Sequence, residues 1–125
     1  MILKRSNARP DPDTLSAAEA RTITEAFDVY AGEVLYYGQS LRWDTLEEVN
    51  VVKAARYGGL AGWLVRFLVH GDDRYHVGLY AGGQEYVMPN VSLNTARYVV
   101  QAIAYYAPQP VRYEGIEGLS PLVEL

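Results

Sequence analysis

The chain has two imidazoles, His70 and His76, and the carboxylates of Asp72 and Asp73 lie between them. Placed across a hairpin, the two histidines fall diagonal to one another, roughly 7–8 Å apart by sheet geometry. Two imidazoles and a carboxylate could hold a divalent cation, which makes His70 and His76 weak metal candidates. Arg74 argues against it, because the same hairpin sets a guanidinium beside His70, and a fixed positive charge repels a metal ion. The other carboxylate pairs, Glu47-Glu48 and Asp72-Asp73, are adjacent in sequence. In extended chain they point to opposite faces, so they cannot share a proton. Ser16, Ser40, Ser92 and Ser120 all fall in turn or cap contexts, with no spacing that implies a Ser-His-Asp set. Gly58, Gly59 and Gly62 lack the order of a dinucleotide fingerprint. With no cysteine in the chain, thiolate nucleophiles and cysteine-held zinc are excluded. No cofactor is expected, and the chain reads as non-enzymatic.

Tyrosine is the residue in surplus: there are 11 in 125 residues. A tyrosine ring packs while its hydroxyl stays wet, which suits barrel rims and protein interfaces alike. Tyr36 and Tyr37 are neighbours, so in a strand one must face out. Tyr80 falls on the less apolar side of its strand. Tyr105 and Tyr106 end a helix whose stripe has room for part of that pair. Tyr113 lies in a strand-like tail. These six are the candidate interaction residues.

The elements that carry them follow from periodicity. Residues 1–20 read as a mobile arm, rich in polar residues and proline, with at most one helical turn over Thr14 to Ala20 capped by Ser16. Ile23, Phe27 and Val29 then alternate with polar residues as a strand. Short strands are expected at Val34–Tyr37, Leu41–Trp43 and Asn50–Tyr57, with a turn at Gly38-Gln39-Ser40. A hairpin pairs Val65, Phe67 and Val69 with Leu79, Val77 and Tyr75 across Gly71-Asp72-Asp73. Gly82-Gly83 turns into a strand that Pro89 ends. Caps over Asn90 to Asn94 open a helix reaching about Tyr106. Its stripe is Leu93, Ala96, Val99, Val100, Ile103 and Ala107, and Pro108 and Pro110 stop it. The tail, 108–125, has the apolar and strand-like content to add to a sheet edge, its own or a neighbour's.

Seven or so short strands followed by one helix resembles the bacterial branch of the pleckstrin-homology-like domains. The residues that carry the likeness are Phe27 to Gly38 (FDVYAGEVLYYG), Leu41 to Val49 with Leu41, Trp43, Leu46 and Val49 at the family's spacing, and Tyr86 to Asn90 leading to a helix with Ala96, Ile103 and Tyr106. The resemblance covers residues 21–107. It implies a mainly β fold, an antiparallel barrel plugged by a C-terminal helix, and a scaffold that often self-associates. The acidic first turn, Asp28 to Glu33, departs from the basic hairpin of phosphoinositide-binding members, so lipid recognition does not carry over.

Net charge is −4, and no segment gathers Lys and Arg. Nucleic acid and anionic membranes are therefore disfavoured as partners. The N-terminus lacks the apolar core of a signal peptide, and the longest apolar run, Leu60 to Val69, is too short to span a bilayer. The expectation is a cytoplasmic interaction or self-assembly module, acting on a protein partner or a second copy of itself. The alternative is a binder of a small apolar or amphipathic ligand, in a barrel mouth lined by tyrosine with Trp43 or Trp63.

Overall fold

The computed structural model describes residues 1–53, 74–115 and the backbone of 123–124. Among these residues the fold is mainly β, in two sheets with two α-helices. The strands are β1 (Ile2–Leu3), β2 (Asp28–Val29), β3 (Glu33–Tyr36), β4 (Gln39–Arg42), β5 (Leu46–Lys53), β6 (Tyr75–Ala81), β7 (Gln84–Val91), β8 (Arg112–Glu114) and β9 (Val123–Glu124). The helices are α1 (Ala17–Ala26) and α2 (Leu93–Tyr106). One sheet has six strands in the order β7-β6-β5-β8-β1-β9, and the other has three in the order β2-β3-β4. The expected barrel is not what these residues form, because the two sheets are separate and neither closes on itself. The expected single helix is likewise joined by a second.

The second helix takes Ile23 to Ala26 of the strand expected at Ile23 to Val29, and only Asp28–Val29 are extended, as β2. Ile23 and Phe27 are four apart, so they satisfy a helical period as well as an alternating one. The buried residues Ile23, Ala26 and Phe27 follow the helical one. A capping box decides the start: Ser16 Oγ accepts from the Glu19 backbone N–H at 3.1 Å, and Glu19 returns a carboxylate to the Ser16 N–H at 2.8 Å. Four alanines in the following ten residues then favour propagation.

Residues 1–20, expected as a mobile arm, are built into the fold. Leu3 N–H donates to Val111 C=O at 2.8 Å, Tyr113 N–H to Met1 C=O at 2.9 Å, and Ser6 N–H to Ala104 C=O at 3.0 Å. The segment after α2 makes this possible. β8 lies parallel to β5, setting Tyr113 beside Val49, and β1 pairs on its other side. The tail thus joins its own sheet, and Tyr113 is buried at 1% exposure.

β6 pairs with β5 on one edge and β7 on the other. Both edges are taken, in place of the expected partner Trp63–Val69, which lies outside the described residues. The reason is that parity fixes which face a strand shows and not which neighbour it takes. Val49 and Val51 of β5 meet Leu79 and Val77 on the inner face just as well. β7 also runs past Pro89 to Val91. Among the described residues it lies at the edge of the sheet, and Pro89 falls in a bulge between the Met88 and Val91 pairings, a position that proline tolerates.

α2 covers the inner face. Ala96, Val99, Val100, Ala102 and Ile103 are buried in one cluster with Val49, Val51, Val77, Leu79, Met88 and Tyr113. Gly115 marks how closely β8 is seated. A Cβ there would meet the Val51 carbonyl oxygen at 2.7 Å and Val51 Cβ at 3.1 Å. Gly115→Ala is therefore expected to destabilise the fold by about 1–3 kcal/mol, the usual cost of overpacking against backbone. Urea unfolding checks this. An unchanged midpoint would mean that the tail does not sit against β5.

Candidate functional site

Tyr36 and Gln39 pair at the end of the β3–β4 hairpin and leave a two-residue loop, Tyr37-Gly38. Both loop residues have positive φ, 46° for Tyr37 and 85° for Gly38. This is the pattern of a type I′ turn, whose first position favours Asn or Gly. Tyrosine there costs about 1–2 kcal/mol, because its Cβ crowds the following carbonyl. The turn thus falls one residue earlier than the expected Gly38-Gln39-Ser40, because a tyrosine takes the place that turn rules give to asparagine or glycine.

The strained residue carries an exposed ring, 58% accessible. It stands edge-to-face against Tyr36 at 4.8 Å and 85°. Tyr36 stands in turn edge-to-face against Tyr86 of β7 at 5.3 Å and 71°. Hydrogen bonds fix the inner two rings. Tyr36 OH donates to the Val87 C=O at 2.6 Å, and Tyr86 OH donates to Gln84 Oε1 at 2.9 Å. Gln39 Nε2 reaches Tyr86 OH at 3.5 Å. Three rings and two amides thus form one cluster, on two hairpin ends that belong to different sheets. Tyr86 was not singled out from sequence, since only its distance from Tyr36 in space identifies it.

The other candidate tyrosines lie elsewhere. Tyr113 is in the core. Tyr106 stacks on Trp43 at 5.2 Å and meets Tyr105 edge-on at 4.8 Å. Trp43 is itself buried, with Nε1 donating to Tyr30 C=O at 2.7 Å, so this group packs the small sheet onto the end of α2. Tyr80 is half-buried on the outer face of the six-stranded sheet. Desolvation and the neighbouring Glu85 carboxylate push its hydroxyl above the usual tyrosine range.

His76 serves the backbone. β7 bulges between its pairings with Tyr75 and Val77, which leaves Asn90 at φ 54° with its N–H off the ladder. His76 Nδ1 accepts that N–H at 3.2 Å. His70, Asp72 and Asp73 lie outside the described residues. Among the described residues, no three His, Asp or Glu side chains are grouped to hold a metal ion. Also among them, no helix is long and apolar enough to cross a membrane.

A cleft of about 700 Å³ opens where the two helices begin, between Ser16, Glu19, Arg74, Asn90, Ser92 and Asn94. Its lining is mixed, because Ala18, Tyr75, Val91 and Leu93 stand beside those polar residues, and Trp43, expected from sequence at a ligand mouth, does not line it. One carboxylate spans both helix starts. Glu19 caps α1 and also accepts from the hydroxyl of Ser92, the N-cap of α2. Partial burial works to raise the Glu19 carboxyl pKa. The hydrogen bonds from Ser16, Ser92 and Asn94 outweigh it, and the net shift is downward.

Comparison with protein-family models, with curated proteins and with solved structures found no match for this chain.

Because the folded Glu19 carboxyl titrates below its unfolded value, its stabilising contribution is full above the ordinary carboxylate range. That contribution is lost as pH falls through the folded pKa. Glu19→Gln keeps the cap geometry and removes the charge. The melting temperature of the wild-type chain is expected to exceed that of the variant at neutral pH, with the gap closing on acidification. A gap independent of pH would show that the charge contributes nothing.

Proposed function

We propose that this chain is a cytoplasmic, non-catalytic protein-interaction module whose contact surface is the Tyr36–Tyr37–Tyr86 cluster. One observation carries the reading. Tyr37 holds a large exposed ring in a backbone conformation that asparagine or glycine would adopt at less cost. Strain of this kind is retained where something other than stability selects the residue. Tyrosine on a rigid support is also the side chain that most often anchors interfaces, because little ring freedom is lost on contact. The likeness to bacterial pleckstrin-homology-like domains supports the same reading at the level of role, a scaffold acting through contacts.

A small-ligand reading has one observation in its favour, the cleft at the helix starts. Its serines, asparagines and Arg74 stand beside Tyr75, Val91 and Leu93, a mixture that suits the amphipathic ligand expected rather than a purely apolar one. Glu19 already accepts from the Ser16 N–H and the Ser92 hydroxyl there.

The contact-surface reading makes an asymmetric prediction. Tyr37→Asn relieves the turn and forfeits an edge-to-face pair worth about 0.5–1.5 kcal/mol when well packed. With more than half of the ring in water, the relief is the larger effect. The variant is expected to be more stable by up to about 1 kcal/mol, read as a higher melting temperature. A lower melting temperature would mean that Tyr37 serves folding, and the reading would be withdrawn.

A further inference from the structure

We propose that the cleft at the two helix starts binds a small amphipathic zwitterion, an amino acid with an apolar side chain. This ligand class rests on the small-ligand reading, which it completes, and is independent of the tyrosine surface.

The cleft has the volume of a small-molecule site, about 700 Å³. Two side chains of opposite sign line it, Glu19 from α1 and Arg74 from the residue before β6. The ladder brings them to one place. Tyr75 pairs with Val91, so one antiparallel step further Arg74 stands opposite Ser92, whose hydroxyl Glu19 accepts. The two charges nevertheless do not pair with each other. Among the described residues, no other carboxylate takes the guanidinium either.

Glu19 is fixed and charged. Its carboxylate accepts from the Ser16 N–H at 2.8 Å, from the Ser92 hydroxyl and from Asn94. A carboxylate has sites for about four donors, which leaves one for an ammonium group. The same hydrogen bonds hold its pKa below the ordinary carboxylate range, so it is ionised at neutral pH. Arg74 is exposed, and a guanidinium fork matches a ligand carboxylate with two parallel hydrogen bonds. An anion alone would meet repulsion from Glu19, and a cation alone from Arg74. A ligand that carries both signs satisfies both residues.

The remaining walls ask for an apolar body. Tyr75 and Val91 face one another across the β6–β7 ladder, and Leu93 opens α2 beside them. An apolar side chain laid on these three leaves water as it binds. Asn90 completes this side with its backbone already pinned, because His76 Nδ1 accepts its N–H at 3.2 Å.

The test is a titration of the isotopically labelled full chain with L-leucine and, separately, L-phenylalanine, read in backbone amide spectra. Saturable shifts centred on Ser16–Thr22, Arg74–Tyr75 and Asn90–Thr95 are expected with at least one of them. The N-acetyl derivative lacks the ammonium, the amide derivative lacks the carboxylate, and glycine lacks the apolar side chain. Each is expected to bind at least about tenfold more weakly, as loss of a charge-assisted hydrogen bond or a buried side chain implies. Arg74→Gln, at an exposed position, is expected to weaken binding as much without lowering the melting temperature. Equal binding of any one analogue, or unchanged affinity in Arg74→Gln, would overturn the zwitterion and keep the cleft as a ligand site. Silence with every probe, or shifts centred elsewhere, would overturn both. No residue of the cleft belongs to the tyrosine cluster, so the contact-surface reading is decided separately by the Tyr37→Asn melting temperature.

Discussion

The hydrogen bond from Tyr36 OH to the Val87 carbonyl, 2.6 Å long, is the joint on which the proposed surface depends. Tyr36 belongs to the three-stranded sheet and Val87 to the six-stranded one. Their side-chain-to-backbone contact lays the β3–β4 hairpin against the edge of β7. The same contact consumes an acceptor that an unprotected edge would offer to another chain. It also turns the Tyr36 ring so that Tyr37 and Tyr86 can both stand against it. Edge protection and ring arrangement thus come from one hydroxyl.

That joint requires both sheets to be held, and the chain ends do much of the holding. β8 enters the six-stranded sheet parallel to β5, and β1 closes on β8. Parallel neighbours need a long crossover; here it includes α2, which covers the inner face on the way. Gln109, just past the helix, donates from Nε2 to the Trp43 and Leu46 carbonyls at 2.7 Å each. The return of the chain is thereby tied to the turn that links the two sheets. The Glu19 carboxylate ties the other end, by joining the start of α1 to the start of α2.

What could be read from the sequence was whatever is local. α2 was legible because stripe, cap and terminating prolines agree over one continuous segment. The β6–β7 hairpin was legible because Gly82-Gly83 is a turn by residue type. α1 was misread because Ile23 and Phe27 fit both periods, although Ser16 and Glu19 already stood at capping-box spacing. The placement of β8 was out of reach. Three residues carry no address, and the parallel pairing with β5 is settled by Tyr113 filling the core beside Val49. At the candidate site, Tyr36 and Tyr37 were marked by abundance and adjacency. Tyr86 was not, because its role exists only once two hairpin ends from different sheets meet. The left-handed Tyr37 was hidden for a related reason, since turn rules by residue type cannot anticipate a tyrosine held where asparagine is preferred.

The central claim is that Tyr37 is held at positive φ with its ring standing on Tyr36, in a cluster continuous with Tyr86, before any partner arrives. Nuclear Overhauser spectroscopy of the free chain measures this directly. The account predicts a strong amide-to-Hα contact within Tyr37, as positive φ requires, and ring-to-ring contacts from Tyr36 to both Tyr37 and Tyr86. A weak intraresidue contact at Tyr37, with no ring contacts to Tyr36, would contradict it.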